Sequence, residues 1–319
     1  MRKRQRRAFL RRIVLLGLCV MLPILIVRGC IIANSKTDEA RKKGPLVTVY
    51  DAAQKSTFVT SMEEYLVGVV AGEMPYSFHA EALKAQAVAA RTYTARKLSQ
   101  YGGGGCSSSG YDICTDSGCC QAWTNPESFK GTSKYQKIRD AVFSTAGEVA
   151  VYDGKLIEAL FHSTAGGYTE NSENVFSTAL PYLRSVYSNE TNAPRYESMV
   201  SVSRSQFAKK LESATGEELT EENVESKVAV AERFESGRVK TVAVGGETLT
   251  GREFRSLFNL DSANFTIEYG KEEVLIHTRG FGHGVGMSQT GADSMAKDGE
   301  SYIYILKYYY TGISIERYW

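Results

Sequence analysis

Three groups of residues in this 319-residue chain have types and spacings suited to chemistry. The first is Glu73, in Gly72-Glu73-Met74-Pro75, which separates two runs of helix formers. Pro75 disfavours helical geometry at Met74 and has no N–H, so Glu73 is expected on or beside a turn between two helices. A carboxyl braced in this way can be held rigidly enough to act as a catalytic acid. The plainer alternative is a helix-end carboxylate in solvent. The second group is Cys106, Cys114, Cys119 and Cys120, crowded into a polar Gly/Ser loop. Such thiols suit a zinc site or, outside the cytoplasm, disulfides. Cys119 and Cys120 cannot easily bridge to each other, although each can reach Cys106 or Cys114. The third group is polar and Gly-rich. His162, Ser163 and Thr164 end an expected strand and can offer hydroxyls and amides to a flat, polyhydroxylated ligand; a simple strand exit is the alternative. From Gly280 to Gln289 glycine alternates with larger residues, which lets the backbone approach a neighbour or ligand. His283, flanked by glycines, is expected to be accessible, with a hydrogen-bonded structural histidine as the alternative. A Ser-His hydrolase is set aside: His162 and Ser163 point to opposite strand faces, and there is no Gly-x-Ser-x-Gly elbow.

The elements that must position these groups can be read from periodicity and turn residues. Helices are expected over Met62–Ala71 and His79–Leu98, with Leu83, Ala87, Ala90 and Thr94 on one face of the second. Strands are expected at Leu46–Tyr50 and Thr57–Thr60. Hairpins are expected for Glu148–Tyr152 with Ile157–Ser163 through Asp153-Gly154, for Arg238–Val244 with Glu247–Leu249, and for Phe265–Tyr269 with Glu273–Arg279. Further helices are expected over Ser133–Thr145, Arg204–Ser213, Thr220–Val230, Thr250–Leu257, Ser288–Lys297 and Ser301–Tyr308. Hairpins rather than repeated βαβ units make the fold class mixed α+β. His79 reads as a surface or capping residue and His277 as structural. The late tyrosines Tyr302, Tyr304, Tyr308, Tyr309 and Tyr310 read as core before they read as a stacking surface for sugars.

The chain opens on a basic run, residues 1–12, without an acid. An apolar stretch over 13–32 follows and has about the length needed to span a bilayer. Basic residues stay cytoplasmic, so the rest is expected outside the cytoplasm, on a single uncleaved anchor at the cell membrane. A cleaved signal peptide is the alternative. Cys19 and Cys30 lie in or beside this anchor. Residues 33–44 read as a stalk, and 45–319 as the extracytoplasmic domain, within which 190–262 is a candidate subdomain. The net charge of +2 is dominated by the N-terminal basic run; from Gly44 onward the chain is acidic or near neutral. With no basic stripe interleaved with aromatics, nucleic acid is excluded as a partner. The glycine run Gly102–Gly105 lacks the Lys-Ser/Thr ending of a phosphate-binding loop.

Four blocks together resemble the SpoIID family of bacterial sporulation cell-wall enzymes: EMPYSFHAEALKAQAVAARTYTARK, FHSTAGGYTE, LPYLRSV and RGFGHGVGMSQTGADSMAKDG. The resemblance spans Glu64 to about Tyr310. It implies a peptidoglycan lytic transglycosylase with Glu73 as catalytic acid and His162, Ser163, Thr164, His283 and Gln289 as substrate-binding residues. It also implies action on glycan strands stripped of stem peptides, during spore engulfment at the septum. The amidase SpoIIP and the membrane protein SpoIIM are the partners it suggests. In the family the cysteine loop often reads Cys, then His-Cys-Gln, and binds zinc in some members. Cys114, Cys120 and Gln121 match, while Cys119 stands where histidine is usual; thiolate can replace imidazole on zinc, and Cys106 is the natural fourth ligand. Disulfides remain the rival.

Most glycosidases need two carboxyls, and only Glu73 lies in a specific motif here. One suffices if the substrate supplies the nucleophile, as N-acetylmuramic acid does when its C6 hydroxyl closes a 1,6-anhydro ring on C1. Glu73 would then give a proton to the glycosidic oxygen and take one from the C6 hydroxyl, which requires partial desolvation to raise its pKa. The same domain occurs in amidase modulators, so the alternative is a non-catalytic glycan-binding activator of a cell-wall amidase.

Overall fold

The computed structural model describes residues 44–190 and 193–319. The expected basic tail, the membrane anchor over 13–32 and all of the stalk but Gly44 lie outside these residues. Among the described residues no helix is long and apolar enough to cross a membrane. The architecture is mixed α+β, with several small sheets set around helices.

β1 (Leu46–Asp51) and β2 (Ser56–Ser61) form an antiparallel hairpin, and β3 (Ile113–Cys114) runs parallel to β1. The chain passes directly from β2 into α1 (Met62–Glu73) and, after the Met74-Pro75 bend, into α2 (Ala80–Lys97). His79 caps α2, its Nδ1 accepting from the Glu81 N–H at 3.3 Å. This serves the orphan N–H groups of a helix start. α2 is buried nearly all round, so the expected single alanine face understates it; α2 is the central helix of the main core. It packs against α1, α3 (Ser133–Ser144) and β4 (Glu148–Tyr152) on its way through that core.

Arg91 on α2 and Glu63 on α1 are both fully buried and paired at 2.5 Å. Arg91 also donates to the carbonyls of Val142 at 3.0 Å and Glu148 at 3.1 Å, and Glu63 accepts from Gly147 and from Trp319 Nε1, each at 3.1 Å. With every donor and acceptor engaged, the pair locks α1, α2, α3 and the C-terminus together. Removing one partner of such a pair costs about 3–5 kcal/mol.

β4 turns at Asp153 and Gly154, both with positive φ, into β5 (Lys155–Leu156). The expected second hairpin strand, Ile157–Ser163, is not continuous. The hairpin stops at Leu156, and β6 (Phe161–His162) pairs elsewhere. After β7 (Gly167–Tyr168), the short α4 (Glu173–Phe176) and β8 (Tyr187–Ser188), the chain enters a second core. Its elements are β9 (Glu197–Ser203), α5 (Arg204–Thr215), α6 (Val224–Lys227), β10 (Val228–Arg233), β11 (Val239–Val244), β12 (Glu247–Thr250), α7 (Gly251–Phe258), β13 (Phe265–Tyr269) and β14 (Glu273–Arg279). Phe207, Phe254, Phe258 and Phe265 stack at its centre. The expected helix Thr220–Val230 is a correction. Only one turn is helical, and Val228 onward is a strand paired with β11, because the Val-Ala-Val alternation has a hydrogen-bonding partner there.

The chain then returns to the main core as β15 (Met287–Ser288), parallel to β6, followed by α8 (Gln289–Lys297), α9 (Tyr302–Tyr309) and β16 (Ser314–Arg317) on β4. Tyr309 and Tyr310 are buried, whereas Tyr304 is half exposed.

Candidate active site

Glu73 is the last residue of α1. Met74 leaves helical geometry (φ −122°, ψ 141°), as Pro75 requires, while its N–H still reaches Val70 O at 3.0 Å. The carboxyl is therefore fixed at the end of a helix whose other residues are largely core. The main-chain N–H of Ala122 donates to Glu73 Oε1 at 2.6 Å. Gln289 Nε2 lies 3.4 Å from Oε2 and 3.4 Å from Gln86 Oε1 on α2. Burial pushes the Glu73 carboxyl above its ordinary pKa, and the donors from Ala122 and Gln289 pull it part of the way back. The arrangement can hold a proton in a partly dry site and stabilise the carboxylate once that proton leaves.

Two glycines on α1 permit the approach of the segment bearing Ala122. A Cβ on Gly72 would lie 2.9 Å from the Ala122 carbonyl carbon and 2.9 Å from the Trp123 nitrogen. A Cβ on Gly68 would lie 2.0 Å from Trp123 Nε1. The Thr124 N–H completes the contact on Gly68 O at 3.0 Å.

The same segment descends from the cysteine loop. The Sγ atoms of Cys106, Cys114, Cys119 and Cys120 all lie within 4.8 Å of one another. Cys106 and Cys119 are 3.4 Å apart, and Cys119 and Cys120 3.8 Å. Zinc–thiolate bonds of about 2.3 Å in a tetrahedron put sulfurs about 3.8 Å apart, so the four residues fit one metal ion. Pairing with β1 fixes Cys114, and the N–H groups of Cys119 and Cys120 share Asp116 O at 3.1 and 2.8 Å. The next residue, Gln121, is buried and donates from Nε2 to Thr94 Oγ1 at 2.9 Å.

The remaining sequence candidates divide. Ser163 and Thr164 join the Gln289 side of the site through Thr290: Thr290 N–H donates to Ser163 O at 3.0 Å, and its hydroxyl meets Thr164 Oγ1 at 3.3 Å. His162 and His283 sit together, rings 5.6 Å apart, beside Arg238; His162 and Arg238 are buried and His283 half-buried. Burial pushes His162 well below the usual histidine pKa, helped by His283 and Arg238; burial likewise pushes His283 down to about 4. Both are neutral at pH 7. His162 Nδ1 lies 3.2 Å from Val285 O, and His283 Nδ1 accepts from Val285 N–H at 3.1 Å. Neither histidine touches Glu73. His283 is half-buried and lines a cavity with Arg238, so its flanking glycines leave the ring partly open rather than freely exposed.

Glu190 was missed in the sequence. It is buried, and its Oε1 accepts from the N–H groups of Ala165 and Gly166 at 2.5 and 3.0 Å. Its Oε2 accepts from the hydroxyls of Ser288, at 2.6 Å, and Thr290. It thus ties the Ser163-Thr164 segment to the two residues flanking Gln289. No motif surrounds it, so composition and periodicity held no signal for it. Ala122 acts through its backbone, which sequence reading does not reach.

Against known proteins, the profile of the family described as SpoIID: Stage II sporulation protein matches residues 50–152. Stage II sporulation protein D of Bacillus subtilis (strain 168) is 39% identical over 289 residues, covering 88% of this chain and 82% of that protein. The protein of the same name from Bacillus amyloliquefaciens is 36% identical over 282 residues, covering 86% and 80%. A protein named amidase enhancer, from Bacillus subtilis (strain 168), is 28% identical over 304 residues, covering 79% of this chain and 40% of its own length. On this similarity, which extends over most of both chains, the protein belongs to the SpoIID family.

Proposed function

We propose that this chain is a sporulation cell-wall enzyme, a lytic transglycosylase that cleaves peptidoglycan glycan strands with Glu73 as its single acid and base. The observation that carries the reading is the state of Glu73: a carboxyl at a rigid bend, raised by burial, with an amide donor on each oxygen. Protonated Glu73 gives its proton to the glycosidic oxygen as the C1–O bond breaks. The C6 hydroxyl of the muramic residue then bonds to C1 and returns its proton to the carboxylate. One C–O bond breaks and one forms, no water is consumed, and Glu73 ends as it began. Ala122 and Gln289 stabilise the carboxylate between the two transfers. Ser163, Thr164 and Gln289 are the groups we assign to glycan contact, with His162 and His283 supporting the chain behind them.

Cys106, Cys114, Cys119 and Cys120 would hold zinc in a closed, structural site. When bound, the ion would supply cross-linking, leaving acid–base work to Glu73. Four thiols converging on one point favour this over disulfides, which need sulfurs about 2.05 Å apart in pairs. We further propose that residues 13–32 anchor the chain in the cell membrane with 45–319 outside the cytoplasm. Protease added to protoplasts should then degrade the domain, whereas full protection would reverse the orientation.

A second reading is favoured by the relative named amidase enhancer: the site binds glycan and stimulates an amidase without cleaving. Anhydro-muramic ends, formed by the native protein and not by Glu73→Gln, separate the two.

A further inference from the structure

A cavity of about 380 Å³ lies between the Glu170–Phe176 segment, α7 and the Gly282-His283 turn, lined in part by Arg238, Arg252 and Arg255. All five hydrogen bonds that the guanidinium groups of these arginines donate among the described residues go to main-chain carbonyls. Arg238 donates to Tyr168 O and Ala165 O at 2.7 Å each, Arg252 to Val175 O, and Arg255 to Leu260 O and Asp261 O at 3.0 and 2.8 Å. Among the described residues, none of the three guanidinium groups is hydrogen-bonded to a carboxylate. Arg238 is only 2% exposed, and its Nε has no partner. Its planar head lies so close to Gly284 that a Cβ there would stand 2.2 Å from Nη2.

Glu170, the acid that also lines the cavity, is engaged elsewhere. Its Oε1 accepts from the Asn171 N–H and the Asn174 side chain, each at 2.8 Å, and its Oε2 accepts from the Ser236 hydroxyl. The lining therefore carries an excess of positive charge, part of it desolvated. Burial pushes Arg238 down to about 10, against the pull of Glu170 and Glu190; it remains charged at pH 7. A buried cation without a paired anion is costly, and guanidinium groups match the planar or tetrahedral oxygens of carboxylates and phosphates. At the rim, Phe176 is 46% exposed and meets His283 edge-on at 5.4 Å, giving the cavity an apolar wall beside its charges.

We propose that this cavity is a binding site for a small oxyanion, a carboxylate- or phosphate-bearing group of about one sugar residue in size. Its lining includes none of Glu73, Ala122 and Gln289, and the proposal does not depend on glycan cleavage. The two sources of that chemistry are an acidic sugar and free phosphate. The test is calorimetric titration of the full-length protein with N-acetylmuramic acid, inorganic phosphate and, as an uncharged control, N-acetylglucosamine. The same titrations are made on Arg252→Gln and Arg255→Gln, with circular dichroism to confirm folding. Arg252 is exposed at the surface, so its variant keeps the proposal testable if Arg255→Gln does not fold. Saturable binding of at least one anion is expected, weakened about tenfold or more in Arg252→Gln. The anion that binds identifies the source. The proposal is overturned if neither anion binds saturably, if N-acetylglucosamine binds as well as the anions, or if Arg252→Gln binds them as the native chain does.

Discussion

The main-chain N–H of Ala122 donates to Glu73 Oε1 at 2.6 Å, although the two residues stand 49 positions apart. Ala122 is two residues beyond Cys120, so one short segment joins the cysteine cluster to the carboxyl proposed for catalysis. Gln121, between them, is pinned to Thr94 on α2. The position of one donor on Glu73 thus depends on the cysteine loop, on α2 and on two glycines of α1.

Gly72→Ala tests that dependence. Alanine in a helix interior normally gains about 1 kcal/mol over glycine. Here its Cβ would meet main-chain atoms of Ala122 and Trp123 at 2.9 Å, and overpacking of this kind costs about 1–3 kcal/mol. Urea unfolding should therefore show a destabilised variant, with glycan cleavage reduced as Ala122 moves off Glu73. A more stable variant of full activity would show that the approach is not constrained.

The raised pKa of Glu73 fixes the sign of a pH effect. A carboxyl whose folded pKa lies above its unfolded value favours folding in its protonated form, and that contribution is lost as pH rises through the folded pKa. Glu73→Gln carries no charge at any pH. Its stability should match the native chain in acid and exceed it increasingly as pH rises past the ordinary carboxylate range. Cleavage by the native protein should fall over the same rise, as the general acid is lost. Denaturant midpoints measured for both proteins across pH decide this, and a gap that shrinks with rising pH would contradict it.

Glu190 is expected to position the Gln289 side of the site. Glu190→Ala leaves the Ala165 and Gly166 amides without their acceptor, at about 1–3 kcal/mol for each buried group left unpaired, while the Ser288 and Thr290 hydroxyls can still turn to Ser163 O. Glycan cleavage should fall with it. Glu190→Gln should restore much of both, because its carbonyl can accept from Ala165 and Gly166 while its amide donates to Ser288 and Thr290. A Glu190→Ala protein that cleaves like the native one would remove Glu190 from the site.

The cysteine loop should bind one zinc ion per chain. Elemental analysis of protein purified without chelator should find it, and chelation should lower the melting temperature, since the ion would cross-link Cys106, Cys119 and Cys120 to the β3 residue Cys114. Cys119→Ser should bind zinc more weakly. Metal-free protein with two disulfides, formed without added oxidant, would assign the cluster to the rival chemistry.

Much of this arrangement was legible in the sequence where the cause is local. Pro75 ends α1 at Glu73, His79 caps α2, and Asp153-Gly154 turns a hairpin with both residues at positive φ. Where pairing is distant, local pattern misleads. Val228–Arg233 becomes a strand because Val239–Val244 lies beside it, and Phe161–His162 leaves its hairpin for Met287–Ser288. At the site, Glu73 and Gln289 stand in distinctive stretches, whereas Ala122 contributes a main-chain N–H and Glu190 a carboxylate in featureless surroundings. The half-buried placement of His283 beside His162 and Arg238 is permitted, but not specified, by its flanking glycines.

The most direct test of the central claim is mass spectrometry of products from denuded glycan strands incubated with full-length native protein and with Glu73→Gln. The native protein should release fragments ending in 1,6-anhydro-muramic acid, and Glu73→Gln, folded by circular dichroism, should release none. Anhydro ends formed by Glu73→Gln at the native rate, or native products with ordinary reducing ends only, would contradict the account.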